Sequence, residues 1–168
     1  MIPVLSPQQS ASWDQKAAAA GVELATLMES AGRAVASVLA DRYAARLRDG
    51  VLITAGPGNN GGDGWVVARA LHRLGVPVWV TAASGARSEL NERVAGLALA
   101  EGVREVAADG PWPNVGLAVD ALLGTGASGA PRAPMAALLQ RISDLDVPIV
   151  AIDGPTGVDL ASGNVHGP

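Results

Sequence analysis

The chain has no cysteine and only two histidines, His72 and His166. The first absence excludes a disulfide framework, a thiolate nucleophile and Cys-ligated zinc. The scarcity of histidine excludes a histidine-rich metal site. Phenylalanine is also absent, and Lys16 is the sole lysine. There is no basic run and the net charge is -4, so electrostatically driven binding of nucleic acid is not expected. No apolar stretch reaches the roughly 18 residues that a membrane span needs. The opening Met1-Ile2-Pro3-Val4-Leu5-Ser6-Pro7 lacks the basic segment of a secretory signal. The expectation is a soluble, cytoplasmic protein with no membrane partner.

What is present suits one packed domain. The chain has 168 residues, 49% of them hydrophobic and 17% charged, enough for a single buried core. Ser6 and Pro7 open a first helix, which Gly21 ends. Apolar residues from Val22 to Leu47 recur at three- and four-residue spacing and predict a second helix, stopped by Gly50. The rhythm then changes. Val51–Ala55, Val76–Thr81, Val103–Val106, Leu117–Leu123 and Val147–Ile152 read as strands. Trp65–Leu74, a segment capped by Ser88 and running to Glu101, and Pro134–Ser143 read as helices. Asp109–Asn114 reads as a loop. Strands alternating with helices imply crossovers and a parallel sheet, its apolar strands covered on both faces. The expected fold is α/β: one Rossmann-like, doubly wound, mostly parallel sheet with two additional N-terminal helices, spanning residues 1–168.

In such sheets ligands bind beyond the carboxyl ends of the strands. Three of those ends are unusual here: Gly56-Pro57-Gly58-Asn59-Asn60-Gly61-Gly62-Asp63-Gly64, Asp120-Ala121-Leu122-Leu123-Gly124-Thr125-Gly126-Ala127-Ser128-Gly129-Ala130, and Asp153-Gly154-Pro155-Thr156-Gly157-Val158-Asp159. One pocket lined by three loops is the economical inference. In the first loop, glycines let backbone N–H groups approach an anion, and the following helix offers its positive end. Gly56, Gly58 and Gly61 satisfy G-x-G-x-x-G. A tight turn with Asn60 or Asp63 as helix cap is the plainer alternative, but five glycines and two asparagines exceed what it needs. The second strand ends Thr81-Ala82-Ala83-Ser84, without the acid that an ordinary dinucleotide site places on the ribose. An NAD-dependent oxidoreductase therefore loses its anchor. No Gly-Lys-Ser/Thr occurs, which excludes a P-loop. Gly126 to Ala130 nearly forms a nucleophile elbow, but position 130 is Ala and no histidine serves it.

Asp120 lies inside an apolar strand and needs partners. Either it accepts loop N–H bonds or it holds a cation. With the amide oxygen of Asn60 and the hydroxyl of Thr156 on neighbouring loops, one carboxylate and several neutral oxygens suit a singly charged hard cation better than Mg²⁺ or Ca²⁺. Asp153, at the end of the last strand, either caps its turn or faces the ligand as a general acid/base. Asp159 reads as a turn residue. Arg87, past the second strand, either meets a 2′-phosphate or is solvated.

Leu27-Met28-Glu29-Ser30-Ala31-Gly32, the Asn-Asn-Gly-Gly-Asp loop, Asp120 to Gly126, and Asp153 to Asp159 together resemble the YjeF N-terminal domain family, the NAD(P)H-hydrate epimerases. The resemblance implies an activity. NAD(P)H gains water across the nicotinamide ring and forms a hydrate, NAD(P)HX, with two epimers at C6; the family interconverts R and S so that a dehydratase specific for one can repair both. It implies substrate contacts at Asn59, Asn60, Gly61, Gly62 and Asp63, at Gly124, Thr125, Gly126, Ala127, Ser128, Gly129 and Ala130, and at Asp153. It implies a potassium ion at Asn60, Asp120 and Thr156, in agreement with the cation argument above. Asp153 is the expected catalytic residue, moving a proton at the C6 oxygen and stabilising a cationic ring. Thr156 stands where the family often has Ser, which keeps the hydroxyl. Family domains continue past position 168 through further strands, so the sheet is expected to lack its last strands and to expose an edge. Some relatives fuse this domain to an ADP- or ATP-dependent dehydratase. A homodimer through the apolar face of the first two helices is expected on family analogy alone. The competing class is a non-catalytic nucleotide-binding or scaffold module of the same fold; Asp120, Asp153 and the intact Asn-Asn loop favour the enzyme.

Overall fold

The computed structural model describes residues 5–85 and 87–167. Helix α1 (Pro7–Ala19) begins as expected: the Ser6 hydroxyl accepts the Gln9 N–H, and the Ser6 N–H donates to the Gln9 side chain at 2.8 Å. None of its residues is buried. Helix α2 (Leu24–Arg42) follows, then a short α3 (Ala44–Leu47). The single long helix expected here breaks at Tyr43, whose φ of -120° leaves the helical region. The turn lets Leu47 reach the core, where it is buried.

The sheet comprises β1 (Val51–Ala55), β2 (Val78–Ala82), β3 (Arg104–Glu105), β4 (Leu117–Ala121) and β5 (Ile149–Ala151). Between them run α4 (Asn59–Arg73), α5 (Glu89–Ala100) and α6 (Ala133–Ser143). Every pairing is parallel, in the order β3-β2-β1-β4-β5, with Ile53 opposite Val80 on one side and Val119 on the other. From β1 the chain winds outward to β3, then returns across β1 to β4. That reversal opens a crevice between the carboxyl ends of β1 and β4, the place where such sheets take ligands.

Both central strands are buried along their whole length. They have no polar face because α2, α4 and α5 share one apolar cluster on one side, while α6 carries Leu138, Leu139 and Ile142 to a second cluster with Leu122. The expectation that every strand is covered on both faces fails at β5. It is an edge strand whose Ile149 is 41% exposed.

Candidate functional site

The loops that leave β1, β4 and β5 converge on one cleft of about 750 Å³. Pro57, Gly58, Asn59, Asn60 and Asp63 form one wall, Leu122 to Ala127 the next, and Asp153 a third. A smaller hollow of about 270 Å³, between His72, Trp79 and Arg104 at the opposite end of β2, carries none of these loops.

The first loop is shorter than its sequence suggests. Only Gly56, Pro57 and Gly58 form the turn; Asn59 already begins α4, and the Gly62 N–H closes the first intrahelical bond on the Gly58 carbonyl at 3.1 Å. Gly58 is the cap and no side chain assists it, so neither Asn60 nor Asp63 plays that part. The N–H groups of Asn59, Asn60 and Gly61 precede that bond and have no partner within the helix, and those of Asn59 and Asn60 belong to residues that line the cleft, the arrangement that seats an anion at a helix end. Glycine is demanded by close approach. A Cβ at Gly61 would collide with the Gly56 carbonyl, and one at Gly56 with the Leu122 carbonyl. Those contacts seat the helix end directly on the ends of β1 and β4.

Asn60 is buried, and both its Nδ2 and its Oδ1 lack a hydrogen-bond partner. Such a group is costly unless something fills its bonds. A Cβ at Gly124 would lie 2.6 Å from Asp153 Oδ2 and 3.2 Å from Asn60 Cβ, so Gly124 is the space in which these two side chains meet. Asp153 itself has φ +66°, unusual for a residue with a side chain, in a tight turn closed by the Gly154 N–H on the Ile152 carbonyl at 2.7 Å. Backbone outliers of this kind concentrate where a side chain must be aimed.

Beneath the cleft, Asp120 is fully engaged. One carboxylate oxygen accepts the Leu122 N–H at 3.1 Å and the Thr156 hydroxyl at 2.8 Å; the other accepts the Thr156 N–H at 2.8 Å. The Thr156 oxygen in turn accepts the Leu123 N–H at 3.1 Å. This knot ties the loop after β5 to the end of β4. Both residues are buried, beside a cleft whose Asn60 oxygen is unpaired. Asp120 thus takes the first of its two expected parts, accepting loop N–H bonds; a cation drawn to the unpaired Asn60 oxygen would have to share the Asp120 and Thr156 oxygens with them. Among the described residues, no three His, Asp or Glu side chains gather as a divalent site would require.

Asp63 lies a turn further along α4. Burial pushes its carboxyl up to about 7, and the charges of Asp153 and Asp14 add to the shift. The cleft therefore holds three carboxyl groups from three elements, one of which keeps its proton near neutrality.

Of the residues expected to touch substrate, Asn59, Asn60, Asp63, Gly124 to Ala127 and Asp153 line the cleft. Gly61 and Gly62 are buried behind it, and Ser128, Gly129 and Ala130 continue as exposed loop outside its wall. Asp159 is the turn residue expected, accepting the Ala161 N–H at 2.9 Å and the Ser162 N–H at 3.0 Å. Arg87 hydrogen-bonds Glu105 at 2.8 Å and lies over the Trp65 ring, away from the cleft lining. Sequence reasoning missed the far wall altogether: Ser10 and Asp14 of α1, and Leu24, Leu27, Met28 and Ala31 of α2. The Leu-Met-Glu motif was its one signal. Met28 presses its thioether on Gly62, and Glu29 accepts from Arg33 at 2.7 Å and from the buried Arg69, binding α2 to α4. Nothing in the sequence marks Asp14.

The family described as YjeF-related protein N-terminus matches residues 24–168. An NAD(P)H-hydrate epimerase of Pirellula staleyi is 41% identical over 153 residues, 82% of this chain and 64% of that protein. A bifunctional NAD(P)H-hydrate repair enzyme Nnr of Thermanaerovibrio acidaminovorans is 40% identical over 165 residues, 93% of this chain but 32% of that protein. A bifunctional NAD(P)H-hydrate repair enzyme of Leishmania major is 37% identical over 170 residues, 94% of this chain and 30% of that one. The chain thus spans under two thirds of the first relative and about a third of the bifunctional ones. The crystal structure of yeast ynu0, YNL200c, superposes with a TM-score of 0.84 at 28% identity, over 94% of this chain and 72% of that one.

Proposed function

The chain belongs to the YjeF-related N-terminal family, and from that premise we propose that it interconverts the R and S epimers of hydrated NAD(P)H in nicotinamide cofactor repair. The observation that carries the proposal is the meeting, in one cleft, of the free N–H groups that open α4, the unpaired Asn60 side chain, and two carboxyl groups, Asp63 and Asp153.

The chemistry follows from those groups. Inversion at C6 takes one of two routes: protonation of the hydroxyl oxygen and cleavage of the C6–O bond as the ring nitrogen forms an iminium, with return of water to the opposite face, or loss of the hydroxyl proton with cleavage of the C6–N bond and re-closure from the other face; both move a proton at that oxygen. The N–H groups of Asn59, Asn60 and Gly61 take the pyrophosphate. Leu24, Leu27, Met28 and Ala31 offer an apolar wall for a ring. Asp153 moves the proton at the C6 oxygen and faces the positive charge of the iminium. Asp63 holds a proton near neutrality and supplies its reserve. Asn60, Asp120 and Thr156 are the residues that would hold a potassium ion, whose fixed charge would order the loops around them. Electrons are neither gained nor lost, so the missing ribose acid of a dehydrogenase is not missed.

The same reading carries a homodimer through the exposed apolar residues of α1 and α2 outside the cleft, among them Trp13 and Val38, and a cytoplasmic setting. No helix among the described residues is long and apolar enough to cross a membrane. A dehydratase, free or fused as in the bifunctional relatives, consumes the product epimer. The test is chromatographic: one purified epimer of NADPHX becomes a mixture of both in the presence of the protein, faster with potassium than with tetramethylammonium. Asp153→Asn is expected to slow interconversion at least about 100-fold, the scale of a lost general acid/base. An unchanged rate in that variant removes Asp153 from the mechanism.

A further inference from the structure

We propose that Asn91, in the first turn of α5, is a positioning residue that holds the Gly56-Pro57-Gly58 turn in the shape the nucleotide phosphates need; this rests on the reading of the cleft as a nucleotide site. Asn91 has no exposed surface. Its Nδ2 donates twice, to the Gly56 carbonyl at 3.0 Å and to the Gly58 carbonyl at 2.7 Å. Three residues earlier, the Ser88 N–H donates to the Pro57 carbonyl at 3.0 Å, while the Ser88 hydroxyl accepts the Asn91 N–H at 3.3 Å. One helix end thus takes all three carbonyls of the turn.

The direction of those bonds matters more than their number. The beginning of α5 contributes no residue to the cleft wall. Carbonyls that accept from Asn91 and Ser88 have their oxygens engaged by α5, an element that does not line the cleft. The free N–H groups of Asn59, Asn60 and Gly61 then face an anion without opposing oxygens beside them. An anion seat built from backbone requires both halves of that arrangement; α4 supplies the N–H groups and, through the Gly62 N–H, shares the Gly58 carbonyl with Asn91, while the Gly56 and Pro57 carbonyls are taken by Asn91 and Ser88. The residue type fits the task. Asp has the shape but no hydrogen to donate, and would set a carboxylate against two carbonyl oxygens. Leu would fill the volume and hold nothing. The Asn91 Oδ1 has no partner and is buried, a cost that packing alone would not require.

The test uses the whole chain with Asn91→Ala and the near-isosteric Asn91→Asp, so that one folded variant suffices. Amide hydrogen exchange of the ligand-free protein is expected to accelerate at least tenfold over residues 56–62 and to stay unchanged in β4 and α6. With NADPHX, KM is expected to rise at least tenfold while kcat stays within threefold. ADP-ribose, which carries the pyrophosphate without the reacting ring, should bind at least tenfold more weakly by calorimetry. Exchange that accelerates everywhere, with KM and ADP-ribose affinity unmoved, makes Asn91 a structural residue and overturns the proposal. A wild-type protein that neither interconverts the epimers nor binds ADP-ribose overturns the reading of the cleft, and the proposal with it.

Discussion

Burial and two neighbouring carboxylates keep a proton on Asp63 up to about pH 7. In the unfolded chain an aspartate loses its proton near pH 4. Between those values the folded protein binds more protons than the unfolded one, so stability falls as pH rises from about 4 to about 7 and is level above it. Ionising Asp63 in place costs on the order of 4 kcal/mol by that linkage. Asp63→Asn removes the penalty. It should be more stable than the wild type at pH 8, equal to it at pH 4, and flatter between; urea unfolding at the two pH values measures this. An unaltered pH slope in the variant assigns the shift elsewhere. The raised proton affinity of Asp63 was not legible in the sequence, which marked the residue as a possible helix cap and an expected substrate contact. A carboxyl group's proton affinity depends on what the fold brings near it, and Asp14 comes from another helix. The burial of Asp120 was legible for the opposite reason: a carboxylate inside an apolar strand is anomalous in the one-dimensional pattern itself.

At the scale of elements, the starts of β1 and β4 were legible, while β2 and β5 begin two residues later than read and the start of α4 was not legible. Val51–Ala55 came out as read because four apolar residues and a β-branched threonine between glycines admit few alternatives. The segment Asn59 to Gly64 reads as loop because each glycine costs about 1 kcal/mol in a helix interior. Packing reverses that preference. Gly61 lies on the Gly56 carbonyl, Gly62 under the Met28 thioether, and Gly64 against Ala121 Cβ. Each glycine is where α4 touches something that a larger residue would displace. Gly61→Ala gains helix propensity and still loses. Its methyl meets backbone that cannot yield, and the expected outcome is a loss of about 2–3 kcal/mol, the range of an overpacked core, read as a lower denaturation midpoint. A Gly61→Ala protein as stable as the wild type would mean that the helix end can lift from the strands, and that the anion seat is not fixed by them.

The whole molecule sets a sheet edge against two helices that sequence reasoning took for additions to a Rossmann-like core. Their place in the cleft was illegible because helix periodicity says which face is apolar, not what that face meets. Leu24, Leu27 and Met28 satisfy the pattern equally well as core, as dimer surface or as a ligand wall. Helix α1 separates stability from function most sharply. It has no buried residue, so removing residues 1–20 exposes little that the remaining fold protects. The loss should be within about 1 kcal/mol, as for other changes that leave a core intact. Yet Ser10 and Asp14 belong to the cleft wall, and the Asp14 charge helps hold the proton on Asp63. The shortened chain should therefore melt nearly as the full chain does, bind NADPHX more weakly, and show its Asp63 titration moved to lower pH when followed by carboxyl carbon resonances. If the truncated protein instead unfolds, α1 contributes to the core through contacts its exposed surface does not reveal. If it keeps full affinity and an unmoved titration, the cleft ends at α2 and α1 is a spectator.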